Sequence, residues 1–237
     1  MMQKNIYEKT VKPNMITFRC SKQLPKKPKE ESKVDIPESF NRLGDDGTSK
    51  TLNGTVLPKD NQFFNAIGAT EELLSFIGLA KEHAHESEQQ YTDKLKRIQT
   101  IIIDISTAIS RSTVNKFVIP STYTKELEDW IHEYSKQLPP PEQYIVPGLV
   151  GDGPRGVPFK VRGGVASASL HVARSVCRKT ERVLVPLVRE GSLDKEAQVY
   201  LNRLSDFLFT IARIAAKHDK RTESIYIPKP DEKVQAQ

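Results

Sequence analysis

Between residues 70 and 218 apolar side chains recur every three or four positions, a spacing that fits helices burying one stripe each and little else. Thr70 is expected to cap a first helix beginning at Glu71-Glu72, with Leu73, Phe76, Ile77 and Ala80 on one face, before the pattern fades in the polar stretch from His83 to Gln90. A second helix is read from about Thr92 to near Ser110, with Leu95, Ile98, Ile102, Ile105 and Ile109 in line and Lys94, Lys96 and Arg97 opposite. A third starts at about Thr124, turns Leu127, Trp130, Ile131 and Tyr134 inward, and is stopped by Pro139-Pro140-Pro141. The fourth runs from Val165 through Leu170, Ala173, Val176, Cys177, Val183 and Leu184 until Pro186 kinks or ends it before Gly191. The fifth spans about Asp194 to His218 and carries Val199, Leu201, Leu204, Leu208, Ile211, Ala212 and Ala215. The expected fold class is all-α, a five-helix up-and-down bundle, with no strand predicted in the loop ahead of it.

Length and charge narrow the function classes. A chain of 237 residues buries one sizeable core. Its net charge of +6 suggests a polyanion binder until it is located: residues 1–34 hold nine of the 36 Lys/Arg and three of the 30 Asp/Glu, leaving 27 of each sign elsewhere. The excess therefore belongs to the leader, and no nucleic-acid partner is expected for the folded part. Residues 1–38 read as a disordered basic leader resembling a mitochondrial transit peptide, so a matrix location is expected, with the cytoplasm as the alternative. Residues 39–222 form the bundle with its entry loop, and 223–237 a flexible tail. No run of eighteen apolar residues occurs, so no membrane insertion is expected. Cys20 and Cys177 lie too far apart in sequence for a metal knuckle and suit a reducing compartment, and the five histidines show no zinc-ligand spacing.

Three polar features stand out. Arg174, Arg178, Glu181 and Arg182 form one strip about two helical turns long, which fits either a solvated helix surface or a site. The following helix carries Asn202, Arg203, Asp206 and Arg213 among apolar neighbours, where Asn and Asp cap, bridge to another helix or contact a ligand. The loop at 41–50 has Gly44 and Gly47, whose backbone amides can converge on an anion, with Arg42, Lys50 and Lys59 nearby. It is not a Walker loop. Together the three point to a polyphosphate site. A long Gly- and Pro-rich stretch from Tyr144 to Gly163-Gly164 is a second candidate binding element. Cys177, between two arginines, is read as a small packing residue, and no nucleophilic triad is legible.

The segments 42–48 (Arg-Leu-Gly-Asp-Asp-Gly-Thr), Pro58-Lys59-Asp60, 68–73 (Gly-Ala-Thr-Glu-Glu-Leu), 169–182 and Leu201-Asn202-Arg203-Leu204-Ser205-Asp206 resemble, in content and order, the PduO-type ATP:cob(I)alamin adenosyltransferases over residues 39–218. The resemblance implies a ferritin-like five-helix bundle assembled as a homotrimer, with ATP and corrinoid between neighbouring subunits. It implies that cob(I)alamin attacks the 5′ carbon of ATP to give adenosylcobalamin and triphosphate, supplying methylmalonyl-CoA mutase in mitochondria with a cobalamin reductase or trafficking protein upstream. ATP contacts then fall on Asn41, Arg42, Leu43, Gly44, Ser49, Lys50, Lys59, Arg178, Lys179, Thr180, Glu181, Arg182 and Asn202, with Arg178, Arg182 and Glu181 nearest the chemistry. Mg²⁺ arrives on ATP, without direct side-chain ligands. Tyr144 and Asp206 are placed at the corrinoid, and Glu71 and Arg174 form a pair between subunits. The chain departs from the family pattern at Tyr144, where Phe is usual, at Glu71 for Asp, at Asn41 and Leu43 for threonines, and in a loop between Gly148 and Gly163 longer by about a dozen residues. An ATP-gated cobalamin escort with little catalysis is the alternative reading, and a trimer whose arginines only bridge subunits is a third.

Overall fold

The structure, a computed structural model, describes residues 42–112, 117–140, 145–150 and 164–225. The leader, Asn41, Tyr144, the loop residues 151–163 and the tail beyond Ile225 lie outside the described residues, and so do the expectations placed on them. Five helices are described: α1 (Gln62–Glu86), α2 (Thr92–Arg111), α3 (Thr122–Ser135), α4 (Val165–Arg189) and α5 (Lys195–His218). α1 packs against α2 and α4, α4 against α5, and α5 against α3.

The five-helix reading holds, with corrections at the edges. α1 starts nine residues before Glu71: Asn61 caps it by accepting the amide of Phe63. Thr70 is therefore no cap; it is buried mid-helix with its hydroxyl on the carbonyl of Ile67. The early turns were hidden because their inward positions, Ala66 and Ala69, are small. Pro186 does not end α4, which continues to Arg189 and closes with the amide of Glu190 on the carbonyl of Pro186. Losing one backbone donor there leaves the carbonyl of Arg182 without its usual partner, and the helix absorbs it.

Strands, absent from the sequence expectation, occur as two short ribbons. β1 (Thr48–Lys50) pairs antiparallel with β2 (Val56–Pro58), joined by a turn in which the amide of Gly54 meets the carbonyl of Thr51 and Gly54 takes φ 84°. The Asn53-Gly54 pair is the sequence signal for such a hairpin, but flanks of three residues are too short to show alternation. β3 (Ile145–Val150) pairs with β4 (Thr222–Ile225), with an irregularity between Val146 and Val150 that contains Pro147 and Gly148. β4 thus includes residues 223–225, which the sequence expectation assigned to the tail.

The core is one cluster. Leu73 and Ile77 of α1, Ile98, Ile102 and Ile105 of α2, Leu170 and Leu184 of α4 and Leu204, Phe207 and Leu208 of α5 are fully enclosed, each contributing about 1.5–3 kcal/mol by burial. Trp130 and Tyr134 dock α3 on Phe207, with ring centroids 5.5 and 6.3 Å away. α1, α4 and α5 each end with a residue in the left-handed region, Glu88, Gly191 and Lys220, and amides from Gln89, Ser192 and Arg221 reach back to the carbonyls of Ala84, Leu187 and Ala216. This closure satisfies carbonyls that the last turn leaves open.

Asp194 caps α5 by accepting the amide of Glu196 and also holds the amide of Ile119. Replacing Asp194 with Ala should lower unfolding stability by about 1 kcal/mol, read as a shifted urea midpoint at constant slope.

Candidate functional site

α4 has two occupied sides. Ala173, Cys177, Thr180, Leu184 and Leu187, at spacings of four and three, are its buried line. The thiol of Cys177 donates to the carbonyl of Leu201 across to α5, and burial pushes it well above the usual thiol range, so it stays protonated and packs. The hydroxyl of Thr180 bonds the carbonyls of Ala69 and Val176, pinning α4 to α1. Thr180 therefore faces away from the arginine strip: its side chain, counted among the expected ATP contacts, is fully buried.

The remaining side of α4 carries Arg178 and Arg182, both exposed and without a hydrogen bond or ion pair to any described residue. Glu181, between them, accepts the side-chain amide of Asn202 from α5 at 3.1 Å. That bond uses the NH₂ group of Asn202, and no hydrogen bond from a described residue reaches its side-chain carbonyl oxygen. Lys179 is engaged by Glu72 of α1 at 2.6 Å. One turn further along α5, Asp206 receives Arg203 at 3.0 Å, and Arg203 also meets Glu128 of α3 at 3.1 Å, beside a cleft of about 320 Å³ lined by His132 and Ser135.

Arg174, at the other end of the strip, behaves differently. Its guanidinium lies 5.3 Å from the Phe209 ring, and its buried Nε has no partner among the described residues. Burial, and then the charge of Arg178, push it down from the usual guanidinium value; an arginine stays charged regardless. His171 packs on the other approach to Phe209 at 6.1 Å and is pushed down by burial and by Arg174, so its imidazole is neutral near pH 7. Phe209 was not singled out from the sequence because one aromatic in a helix reads as core; its half-exposure between two cations or bases needs the fold.

The entry loop is a second cation group. A Cβ added to Gly44 would lie 2.7 Å from the Lys59 ammonium and 3.3 Å from the carbonyl of Thr48. Gly44 thus leaves the space that Lys59 fills. Lys59 is held there by its own amide on the carbonyl of Gly47, while the hydroxyl and amide of Thr48 both donate to Asp46, keeping that carboxyl below its usual range. Arg42, Leu43, Ser49 and Lys50 sit on the same loop and ribbon, Arg42 with φ 58°.

The loop and the strip have different recorded neighbours within the chain. Leu52, at the hairpin tip, lies over the α1–α2 groove with Glu71, Leu74 and Ile103, whereas the strip lies on the α4–α5 side. No hydrogen bond or ion pair joins the two groups among the described residues. Glu71 and Arg174 are parted in the same way. Among the described residues no three His, Cys, Asp or Glu side chains gather as metal ligands, and no helix is long and apolar enough to cross a membrane.

Residues 39–215 match the family model for cobalamin adenosyltransferase. The chain belongs to that family. Corrinoid adenosyltransferase MMAB of Mus musculus is 39% identical over 198 residues, covering 81% of this chain and 78% of the relative. The corrinoid adenosyltransferase of Citrobacter freundii is 30% identical over 179 residues, 74% of this chain and 93% of that one. Among solved structures, a variant of the PduO-type ATP:corrinoid adenosyltransferase from Lactobacillus reuteri, complexed with cobalamin and ATP, aligns with TM-score 0.69 and 25% identity over 80% of this chain and 99% of that chain.

Two substitutions separate contact from packing. Gly44→Ala should displace the flexible Lys59 ammonium, raising KM for ATP about fivefold if that amine meets phosphate, with the thermal midpoint unchanged. Thr180→Val should do the reverse, costing about 1 kcal/mol of stability and leaving KM for ATP as it was; both are read from melts and steady-state kinetics.

Proposed function

We infer that this chain transfers the 5′-deoxyadenosyl group of ATP to the cobalt of cob(I)alamin, giving adenosylcobalamin and triphosphate. The electron pair on cobalt forms the new bond to C5′, the C5′–O bond breaks, and the triphosphate leaves with that bond's electrons. The observation that carries this reading is the pair of exposed guanidiniums on α4, Arg178 and Arg182, with no partner among the described residues, beside an Asn202 braced by Glu181. Forked N–H groups match phosphate oxygens, and two of them one helical turn apart can serve a single polyphosphate. As the leaving triphosphate gathers charge they stabilise it more than they stabilise bound ATP.

The other residues take roles that follow from chemistry and place. Lys59, Lys50 and Arg42 add charge at the loop, and Gly44, Leu43, Ser49 and Asn41 supply close backbone or hydroxyl approach. Asn202, whose side-chain carbonyl oxygen is free to accept, suits a donor group of the nucleoside. Lys179, tied to Glu72, shapes the rim. The cations of the strip suit phosphate better than metal, so Mg²⁺ rides on the triphosphate and offsets part of its charge. Tyr144 and Asp206 belong to the corrinoid side. The protein's task is alignment and exclusion of water.

The parting of loop and strip supports a site shared between copies of the chain. A contact between Glu71 of one copy and Arg174 of the next would carry the first copy's hairpin over the second copy's strip, and a cyclic trimer closes that head-to-tail arrangement. The orphaned Nε of Arg174 is consistent with a partner outside the chain. A mitochondrial matrix location, delivery to methylmalonyl-CoA mutase and supply by a cobalamin reductase complete the reading.

Single-turnover formation of the carbon–cobalt bond from ATP and cob(I)alamin tests the reaction: binding without bond formation favours an escort. Arg178→Ala should cost roughly 2–4 kcal/mol of transition-state stabilisation with the fold and assembly intact. Unchanged turnover in that variant removes the arginine from the mechanism.

A further inference from the structure

Asp219 is the residue that closes α5, and its charge is misplaced for that duty: a carboxylate at a helix C-terminus meets the negative end of the dipole. It is nonetheless kept, with a side chain only 6% exposed. Its partners come from three elements. Oδ2 accepts the amide of Gly164, the residue before α4, at 2.8 Å. Oδ1 receives Nε2 of Gln89, from the turn between α1 and α2, at 3.3 Å, and lies 3.4 Å from Nδ1 of His218. Gln89 is itself buried and also meets His218 at 3.0 Å. Gly164 caps α4 with φ 99° and no side-chain cap of its own, so the carboxylate stands at the positive end of α4, where a negative charge is favoured.

Three residues further on the chain becomes β4, whose partner is β3. The backbone that leaves along β3 and the backbone that returns at Gly164 are therefore both fastened to residues 219–225.

We propose that Asp219 is a positioning residue for the corrinoid half of the site, a single carboxylate that fixes the start of α4 relative to the β3–β4 ribbon. This rests on the proposed function, under which Tyr144, the residue that precedes β3 in sequence, belongs to the corrinoid side. The residue touches no reacting atom; it holds the frame on which the macrocycle is seated, and the ATP loop, at the β1–β2 hairpin, is not attached to it.

The experiment uses the full chain and measures KM for cob(I)alamin and for ATP, cobalamin affinity in the presence of ATP from its visible spectrum, and thermal midpoints. Asp219→Ala should weaken corrinoid affinity and raise corrinoid KM about tenfold, as loss of hydrogen bonds to a charged group predicts, with KM for ATP changed less than about twofold. Asp219→Asn, which keeps one acceptor oxygen, should fall between wild type and Asp219→Ala, and carries the test if the alanine variant does not fold. Asp194→Ala, at the other end of α5, controls for stability alone and should lower the midpoint without moving either KM. The proposal is overturned if both KM values move together, if neither moves, or if Asp194→Ala produces the same split. Wild-type chain that binds cobalamin but forms no adenosylcobalamin overturns the reaction and leaves the affinity series to decide on Asp219; wild-type chain that binds no cobalamin overturns both.

Discussion

The burial of α4 on two of its sides governs the rest. Cys177 and its line of small and aliphatic neighbours hold it to α5, Thr180 holds it to α1, and what is left is a strip of helix that no described residue of the same chain buries. Arg178 and Arg182 are exposed there, whereas Arg174, a turn before, folds back on Phe209. Arg178 and Arg182 are spaced one turn apart on it, so their heads fall within reach of a single extended anion. A bundle with a wider α4 interface would have buried the strip, and one with a looser interface would not hold the spacing.

Electrostatic preorganisation follows from that. Carboxylates that could neutralise the strip are committed elsewhere: Glu72 to Lys179, Glu181 to Asn202, Asp206 and Glu128 to Arg203. Glu181 keeps its charge, since its partner is a neutral amide, and among the described residues neither Arg178 nor Arg182 is within ion-pair distance of it. An enzyme whose nucleophile arrives with the substrate needs this sort of fixed field more than it needs a proton acceptor.

Much of this was legible in the sequence, and the losses have physical reasons. Four of the five helices could be placed because Leu and Ile mark their inward positions, whereas the first turns of α1 bury alanines and carry a weak signal. The hairpin was announced only by Asn53-Gly54, and β3 by nothing periodic, since Pro147 and Gly148 break its alternation. The arginine strip was visible because residues four apart share a helix face. Thr180 could have been recognised as inward, since it continues the spacing of Ala173, Cys177 and Leu184; its position amid charged residues concealed that. The bond between Glu181 and Asn202, and the three-way hold of Asp219, depend on the register of one helix against another, which no single stretch of sequence encodes.

The separation of the hairpin from the strip has a genetic consequence. If each working centre takes Lys59 from one copy and Arg178 from another, a chain damaged at the first position and a chain damaged at the second are not equivalent losses. Co-expressed, they assemble some junctions that inherit both defects and some that inherit neither, so two inactive alleles restore a fraction of function that neither possesses alone.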